Sequence, residues 1–336
     1  MTNIPQLGRL GVVTIGRNEG ERLVECLKSL QKLLPPYVPV VYVDSGSTDG
    51  SPETARGFGV TVISLDASLP FTAARGRNTG WKYLLAHYPH LDYIQFLDGD
   101  CELLPQWLEK AISRMEENPQ LAAVCGRVKE KYPLKSVYNL LMDMEWNTPV
   151  GEALYCGGNA LIRVEALKQV DGYNSSLICG EEPEMCIRLR RRGWKIERLP
   201  ADMVLHDASM YHFSQWWRRM VRGGWAVAQG FHLYGRAPEN YKKKELFSGF
   251  FWGFLLPFFS LILIPFTSCY SLLLLILYPI LFFKIFLYRR QFEPNNRHAF
   301  IYAFWCVISK FPQFIGQVEY WLNKLRDRRA VLIEYK

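Results

Sequence analysis

The chain has none of the cysteine spacing that builds a metal site. Its eight cysteines, Cys26, Cys101, Cys125, Cys156, Cys179, Cys186, Cys269 and Cys306, are dispersed, with no CxxC pair and no matching histidine spacing. They are expected to be reduced, mostly buried thiols. The opening MTNIPQLGRLG lacks a basic stretch followed by an apolar one, so no secretory signal is expected and the first part of the chain is assigned to the cytoplasm. Charge is also scarce: 21% of residues are charged against 49% hydrophobic, which excludes the composition of a disordered protein. What charge exists leans positive, with 40 Lys and Arg against 32 Asp and Glu. A net charge of +8 suits nucleic acid, an anionic membrane face or an anionic small substrate, and does not choose among them. A length of 336 residues fits one large domain with an appendage, or two domains.

The scarcity of charge is most marked from Leu246 to Leu287, where Lys284 is the only charged residue. That run is roughly double the 20 or so residues one helix needs to cross a bilayer. Pro265 to Cys269 interrupts it, which predicts two spans over 247–264 and 270–287 as a helical hairpin. Lys242, Lys243 and Lys244 before it and Arg289 and Arg290 after it place both outer ends on the cytoplasmic side. The segment 299–320 is aromatic but broken by Lys310, Pro312 and Gln313, and the basic KLRDRR follows it. An interfacial helix, which keeps that tail on the inner side, is expected here, with a third span, which would not, as the alternative.

Residues before Tyr241 alternate strand-length apolar runs with longer periodic segments, the pattern of an α/β domain. LGVVTIGRNEGERLVECLKSL predicts a strand over 10–15, a loop over 16–20 and a helix with Leu23, Cys26, Leu27 and Leu30 on one face. VPVVYVDSGSTDGS predicts a second strand ending at Asp44. In a parallel sheet ligands sit at the carboxyl ends of strands, where a carboxylate can accept hydrogen bonds from a base or ribose. The alternative for Asp44 is an Asx-type turn before the helix that follows Ser51. A third strand over 93–97 runs into Asp98-Gly99-Asp100, and two carboxylates one residue apart can converge on Mg²⁺ or Mn²⁺. Such a pair also occurs in ordinary turns.

With these motifs in this order the chain resembles the family 2 glycosyltransferases of the GT-A fold. The resemblance covers about 11–222 and rests on VVTIGRNEGERLVECLKSL, VDSGSTDGS, AARGRNTGW, FLDGDCELLPQWLE, GGNALIRVEALKQVDGY and GEEPEMCIRLRRRGW. It implies a Rossmann-like α/β domain with a mostly parallel central sheet flanked by helices. By the same resemblance Ile15 to Glu19, Arg17 included, and Asp44 cradle the nucleotide, Arg77 and Asn78 lie along its ribose and phosphates, Asp98 meets the ribose, and Asp100 ligates the metal.

Further along, Gly158 and Asn159 of CGGNALIR are expected on the acceptor side. Glu181 and Glu182 begin a helix, where simple capping of its positive end is one reading. The family's usual pattern there is Glu-Asp, with the Asp as general base. This chain carries Glu182 in that place, one methylene longer, so Glu182 is the expected base with Glu181 as the alternative. His206 follows a strand-like stretch and either completes the metal site, as a His in similar transferases does, or serves as a structural hydrogen-bonder. FSQWWRRMVRGGW resembles the QxxRW element of membrane-bound transferases, with Arg219 where the family has Trp. Its Gln215, Trp216, Trp217 and Arg218 are candidates for acceptor or diphosphate contacts, and its Trp and Arg residues are equally suited to anchoring at a membrane interface.

The expected organisation is a GT-A domain over 1–233, a basic linker over 234–245, a transmembrane hairpin over 246–288, and an interfacial helix with a basic cytoplasmic tail over 289–336. The expected activity is inverting transfer of a sugar from a nucleotide-diphospho-sugar to a hydroxyl of a lipid-linked sugar or surface polysaccharide, assisted by Mn²⁺ or Mg²⁺. The site is expected at the inner (plasma) membrane with the catalytic domain cytoplasmic. The alternatives are a polyprenyl-phosphate sugar transferase and a non-catalytic membrane scaffold binding nucleotide or anionic lipid. A nucleic-acid partner is not expected, because the arginines of RLRRRGW suit a solvated helix face or an anionic headgroup better.

Overall fold

The computed structural model describes residues 5–327. β1 (Leu10–Gly16) is buried from Leu10 to Thr14, as a central strand covered on both faces must be. It leads into α1 (Glu21–Leu33), which buries Leu23, Cys26, Leu27 and Leu30, the face that the i, i+3, i+4 spacing dictates. β2 (Val40–Asp44), α2 (Ser51–Gly57), β3 (Thr61–Ser64), α3 (Ala73–His87) and β4 (Tyr93–Asp98) continue the alternation. Then come β5 (Cys101–Leu103), α4 (Trp107–Glu117), β6 (Leu121–Glu130) and α5 (Val137–Glu145). β7 (Gly151–Glu152), β8 (Ala160–Arg163), α6 (Val164–Val170), α7 (Glu181–Arg191) and β9 (Lys195–His206) complete the α/β part.

The strands form one sheet in the order β3-β2-β1-β4-β8-β6-β9-β5, with β7 paired to β9. It is a GT-A-like sheet, and more mixed than expected. β3, β2, β1 and β4 are mutually parallel, and β6 is parallel to β9, but β8 lies antiparallel to both β4 and β6 and joins the two blocks. Two registers matter most for the site: Gly16 pairs with Asp44, and Ile15 with Asp98.

The chain divides into two units, Met1–Tyr132 with Glu145–Ala208, and Pro133–Met144 with Ser209–Lys336. The second therefore begins upstream of the expected boundary after Leu233. Its α8 (Phe213–Tyr234) packs within this unit, Trp225 edge-on to Tyr320 at 5.4 Å. α9 (Lys243–Phe250), a π-helical turn over Phe251–Leu255 and α10 (Leu256–Ile262) follow, then α11 (Leu277–Arg289), α12 (Asn296–Ile308) and α13 (Lys310–Leu325). The π turn precedes Pro257, which has no N–H to continue the α pattern. The chain breaks between α10 and α11 where expected, with Ser268 and Cys269 at positive φ.

Three helical stretches, Lys243–Ile262, Tyr270–Arg289 and Asn296–Leu325, are long and apolar enough to cross a membrane. Their apolar side chains stand outward, Leu273 at 65% exposure for example, the reverse of a soluble core. The third stretch coincides with the segment expected to lie in the interface. The end of the basic tail, from residue 328, lies outside the described residues.

Candidate active site

Parallel pairing brings the ends of β2, β1 and β4 to one edge of the sheet, and the loops beyond them are tied to one another. Asn18 donates its backbone N–H to Ser47 Oγ at 2.9 Å and accepts from the Thr48 N–H on Oδ1 at 2.7 Å, and the Gly20 N–H reaches Asp49 Oδ2 at 2.9 Å. Asp44 is buried, and its Oδ2 accepts from the N–H groups of Gly46 and Ser47 at 2.9 and 3.0 Å. It thus forms the Asx-type turn, while Tyr42 donates its hydroxyl to Oδ1 at 3.3 Å. Arg17 is exposed beside the loop with its guanidinium over Phe71, and Glu19 is ion-paired to Arg22 at 2.8 Å. Ile15, half-buried, closes β1 beneath the Gly99 N–H, which donates to the Ile15 carbonyl at 2.8 Å.

The centre of the site is Arg77 on α3. It is 4% exposed and donates Nη2 to Asp98 Oδ1 at 2.8 Å and Nη1 to Glu181 Oε1 at 2.6 Å. Burial works against the guanidinium charge, yet the two carboxylates outweigh it and its pKa is raised. Gly158 is dictated by this cluster: a Cβ there would lie 2.6 Å from Arg77 Nη2 and 2.9 Å from Asp98 Oδ2, both held in place by the ion pair. Asn159 is buried next to it and accepts from the Asp98 N–H at 2.8 Å. Asn78, expected along the donor, has its amide engaged inside the protein. Nδ2 donates to the Tyr173 carbonyl and Ser175 Oγ, and Oδ1 accepts from the Tyr173 N–H and Trp81 Nε1. It pins the turn around Asp171-Gly172-Tyr173 to α3.

Asp100 meets His206 because β5 pairs antiparallel to β9 with Cys101 opposite His206. Asp100 Oδ2 and His206 Nε2 are 3.4 Å apart. Two donors bound cis on an octahedral ion at about 2.1 Å stand about 3 Å apart, so the pair fits a divalent cation and leaves most of the shell for outside oxygens. The other ring nitrogen, Nδ1, is buried without a hydrogen bond and has Glu130 Oε2 as its nearest carboxylate oxygen, at 3.7 Å, too far for a hydrogen bond. Trp146 packs edge-on against the ring at 4.5 Å. Cys101 lies close enough to be a third ligand, but burial and the charge of Asp98 push its thiol well above the usual range, and it donates to Asp100 Oδ1 instead. Carboxylate and imidazole suit Mn²⁺ at least as well as Mg²⁺. Glu130 was missed in the sequence; an acid at the end of an apolar strand is its only local signal.

Glu181 and Glu182 open α7, both nearly buried. Glu181 is committed to Arg77. Glu182 accepts the Cys156 N–H at 2.7 Å and the Cys186 thiol at 2.9 Å, both on Oε1. Burial raises the Cys186 thiol to about 11, so it remains a donor at neutral pH. All eight cysteines are free.

The QxxRW-like element lies in the second unit. Gln215 caps α8, accepting the N–H groups of Tyr211 and His212 on Oε1 at 2.8 and 3.0 Å. Trp216 is 1% exposed and packs against Tyr138, Phe213 and Trp305, so the expected acceptor or diphosphate contact at Trp216 is corrected: its ring is enclosed by its neighbours. Trp217 is half-buried and Arg218 exposed.

Residues 12–171 match the family described as Glycosyl transferase family 2, and residues 93–287 match Glycosyl transferase family group 2, the latter covering more than half of the chain. The glycosyltransferase AglE of Haloferax volcanii is 25% identical over 223 residues, 63% of this chain and 69% of that protein. Among solved structures, the mannosyltransferase PcManGT from Pyrobaculum calidifontis, in complex with GDP-Man and Mn²⁺, aligns at a TM-score of 0.62 and 19% identity. That alignment covers 94% of this chain and 88% of the other, and it speaks for the fold.

Proposed function

The chain belongs to the family 2 glycosyltransferases and is an enzyme, and from that premise we propose that it transfers a sugar from a nucleotide-diphospho-sugar to a hydroxyl of a membrane-proximal acceptor, with inversion at the anomeric carbon. The observation that carries this reading is the convergence of Asp98, Arg77 and Glu181 beside the Asp100–His206 pair, all from strand ends or adjoining helix starts. In this reading Ile15, Arg17, Glu19 and Asp44 shape the nucleotide cradle, and Asp98 meets the ribose. Arg77 holds Asp98 against Glu181, and Asn78 keeps the neighbouring turn in place. Gly158 and Asn159 form the wall on the acceptor side, and Trp217 and Arg218 keep an acceptor or diphosphate role.

Glu182 is the proposed base. Its Oε1 is fixed by Cys156 and Cys186, which leaves Oε2 to take the acceptor proton as the hydroxyl oxygen attacks C1. The new bond forms at C1 as the bond from C1 to the diphosphate oxygen breaks on the opposite face. Asp100 and His206 would hold Mn²⁺ or Mg²⁺, and such an ion supplies charge neutralisation for the departing diphosphate. The GDP-Man and Mn²⁺ of the Pyrobaculum calidifontis enzyme support this donor class and a divalent metal.

Three candidate spans support a membrane setting. The proposed topology is a hairpin and an interfacial third helix at the inner membrane with the catalytic unit cytoplasmic, acting on a lipid-linked sugar or a surface polysaccharide. The same spans favour one second reading, a polyprenyl-phosphate acceptor, which is already ionised and needs no base.

Transfer assays on Asp100→Ala and Glu182→Gln test the proposal. Each is expected to lower turnover at least about 100-fold. Activity within tenfold of wild type in both removes the mechanism, while loss in Asp100→Ala alone selects the polyprenyl-phosphate acceptor.

A further inference from the structure

Away from the strand-end site, the first unit has a second place where cations gather. β9 pairs with β6 at Cys125↔Arg198 and again at Arg127↔Asp202, so Leu199, Pro200 and Ala201 bulge opposite the single residue Gly126. No side chain fits at Gly126: a Cβ would lie 2.6 Å from the Ala201 carbonyl oxygen and 2.8 Å from the Trp107 ring. Pro200 and Ala201 of this bulge line a cavity of about 500 Å³. Lys110, Arg127, Lys129 and Arg198 also line it, against the single acid Asp202.

That acid is already taken, since Asp202 is paired with Lys129 at 2.5 Å. Glu197, the neighbour of Arg198 in sequence, is held by Arg114 at 2.9 Å. Arg198 itself is only 5% exposed, its Nε is a buried donor with no acceptor, and its side chain makes no hydrogen bond or ion pair among the described residues. Burial lowers its pKa, against the opposing pull of Cys125 and Asp202 and with the like charge of Arg127 adding to it. Removing a guanidinium from water without an anionic partner costs several kcal/mol, which makes this an expensive residue to keep for packing alone.

We propose that this cavity binds a phosphate-bearing anion, with the Arg198 guanidinium as its buried anchor and Lys110, Arg127 and Lys129 around it. The planar fork of arginine matches phosphate oxygens two at a time. The volume admits a diphosphate, or a phosphate monoester with part of its carrier. None of the strand-end residues lines the cavity, so the site stands independently of the transferase reading. The phosphate can come from solution or from a lipid headgroup.

The test uses the full chain in nanodiscs of neutral lipid, carrying Asp100→Ala and kept in EDTA so that the strand-end metal pair is silent. The thermal unfolding midpoint is followed against inorganic pyrophosphate in solution and, separately, against a polyprenyl monophosphate mixed into the disc. At least one probe is expected to raise the midpoint saturably. A response to pyrophosphate alone assigns a soluble phosphate, a response to the lipid alone assigns a headgroup, and a response to both supports the shared chemistry. Arg198→Met is expected to weaken apparent affinity at least about tenfold, with the probe-free midpoint unchanged or raised. Lys110→Gln, exposed on α4 and safe for folding, is expected to weaken it about threefold. The proposal is overturned if neither probe shifts the parent protein. It is also overturned if every variant that folds binds as tightly as the parent.

Discussion

The strand-end site and the cavity beside the β6–β9 bulge each contain a buried arginine, and the two are completed differently. Arg77 is closed by the chain itself, with Asp98 on one side and Glu181 on the other. Arg198 is as little exposed, at the wall of a cavity, but the acids near it are committed to Lys129 and Arg114. A buried charge that the chain neutralises holds structure together, here by locking Asp98 at the end of β4 to Glu181 at the start of α7. A buried charge that the chain leaves open is placed for something that arrives from outside.

This contrast yields predictions on stability. The largest effect is expected at Arg77. Arg77→Met leaves the buried Glu181 and the half-buried Asp98 without their cation and should cost about 3–5 kcal/mol, read as a fall in the unfolding midpoint of the full chain. Arg198→Met should show no such fall without a ligand, and equal losses at both positions would erase the distinction. Gly158→Ala comes next. Its methyl group must displace Arg77 or Asp98, at about 1–3 kcal/mol, and a silent substitution would show that the cluster is loose.

The smallest effect is set by pH. Burial raises the thiols of Cys125 to about 12 and of Cys186 to about 11, against an ordinary value of 9.0. The unfolded chain therefore releases these protons first, and stability that is complete below pH 9 should decline as pH rises from there toward 11–12. Cys186→Ala should flatten part of that decline, and a flat stability profile in the wild type across this range would mean that the thiols are more hydrated than the fold implies.

The two regions also differ in how far the sequence reveals them. An apolar strand ending in an acid marks Asp44 and Asp98 directly, and parallel pairing then obliges those ends to meet. The hairpin break at Pro265 to Cys269 was equally open to view, because proline and small polar residues interrupt an uncharged run. Glu130 and Arg198 were not, since their meaning arises only when β6 pairs with a strand some seventy residues further on. Strand direction leaves no periodic trace, so the antiparallel insertion of β8 was hidden. Gln215 and Asn78 show a further limit: an amide in a family motif looks the same whether it contacts a ligand or, as here, caps a helix and pins a turn.

The most direct test of the account is calorimetric titration of UDP-, GDP- and dTDP-sugars into the detergent-purified full chain with Mn²⁺, in parallel with Asp100→Ala. The account predicts that one donor class binds only with the metal and that Asp100→Ala loses this binding. Binding of no nucleotide to the folded protein, or undiminished metal-dependent binding in Asp100→Ala, would contradict the placement of the active site at these strand ends.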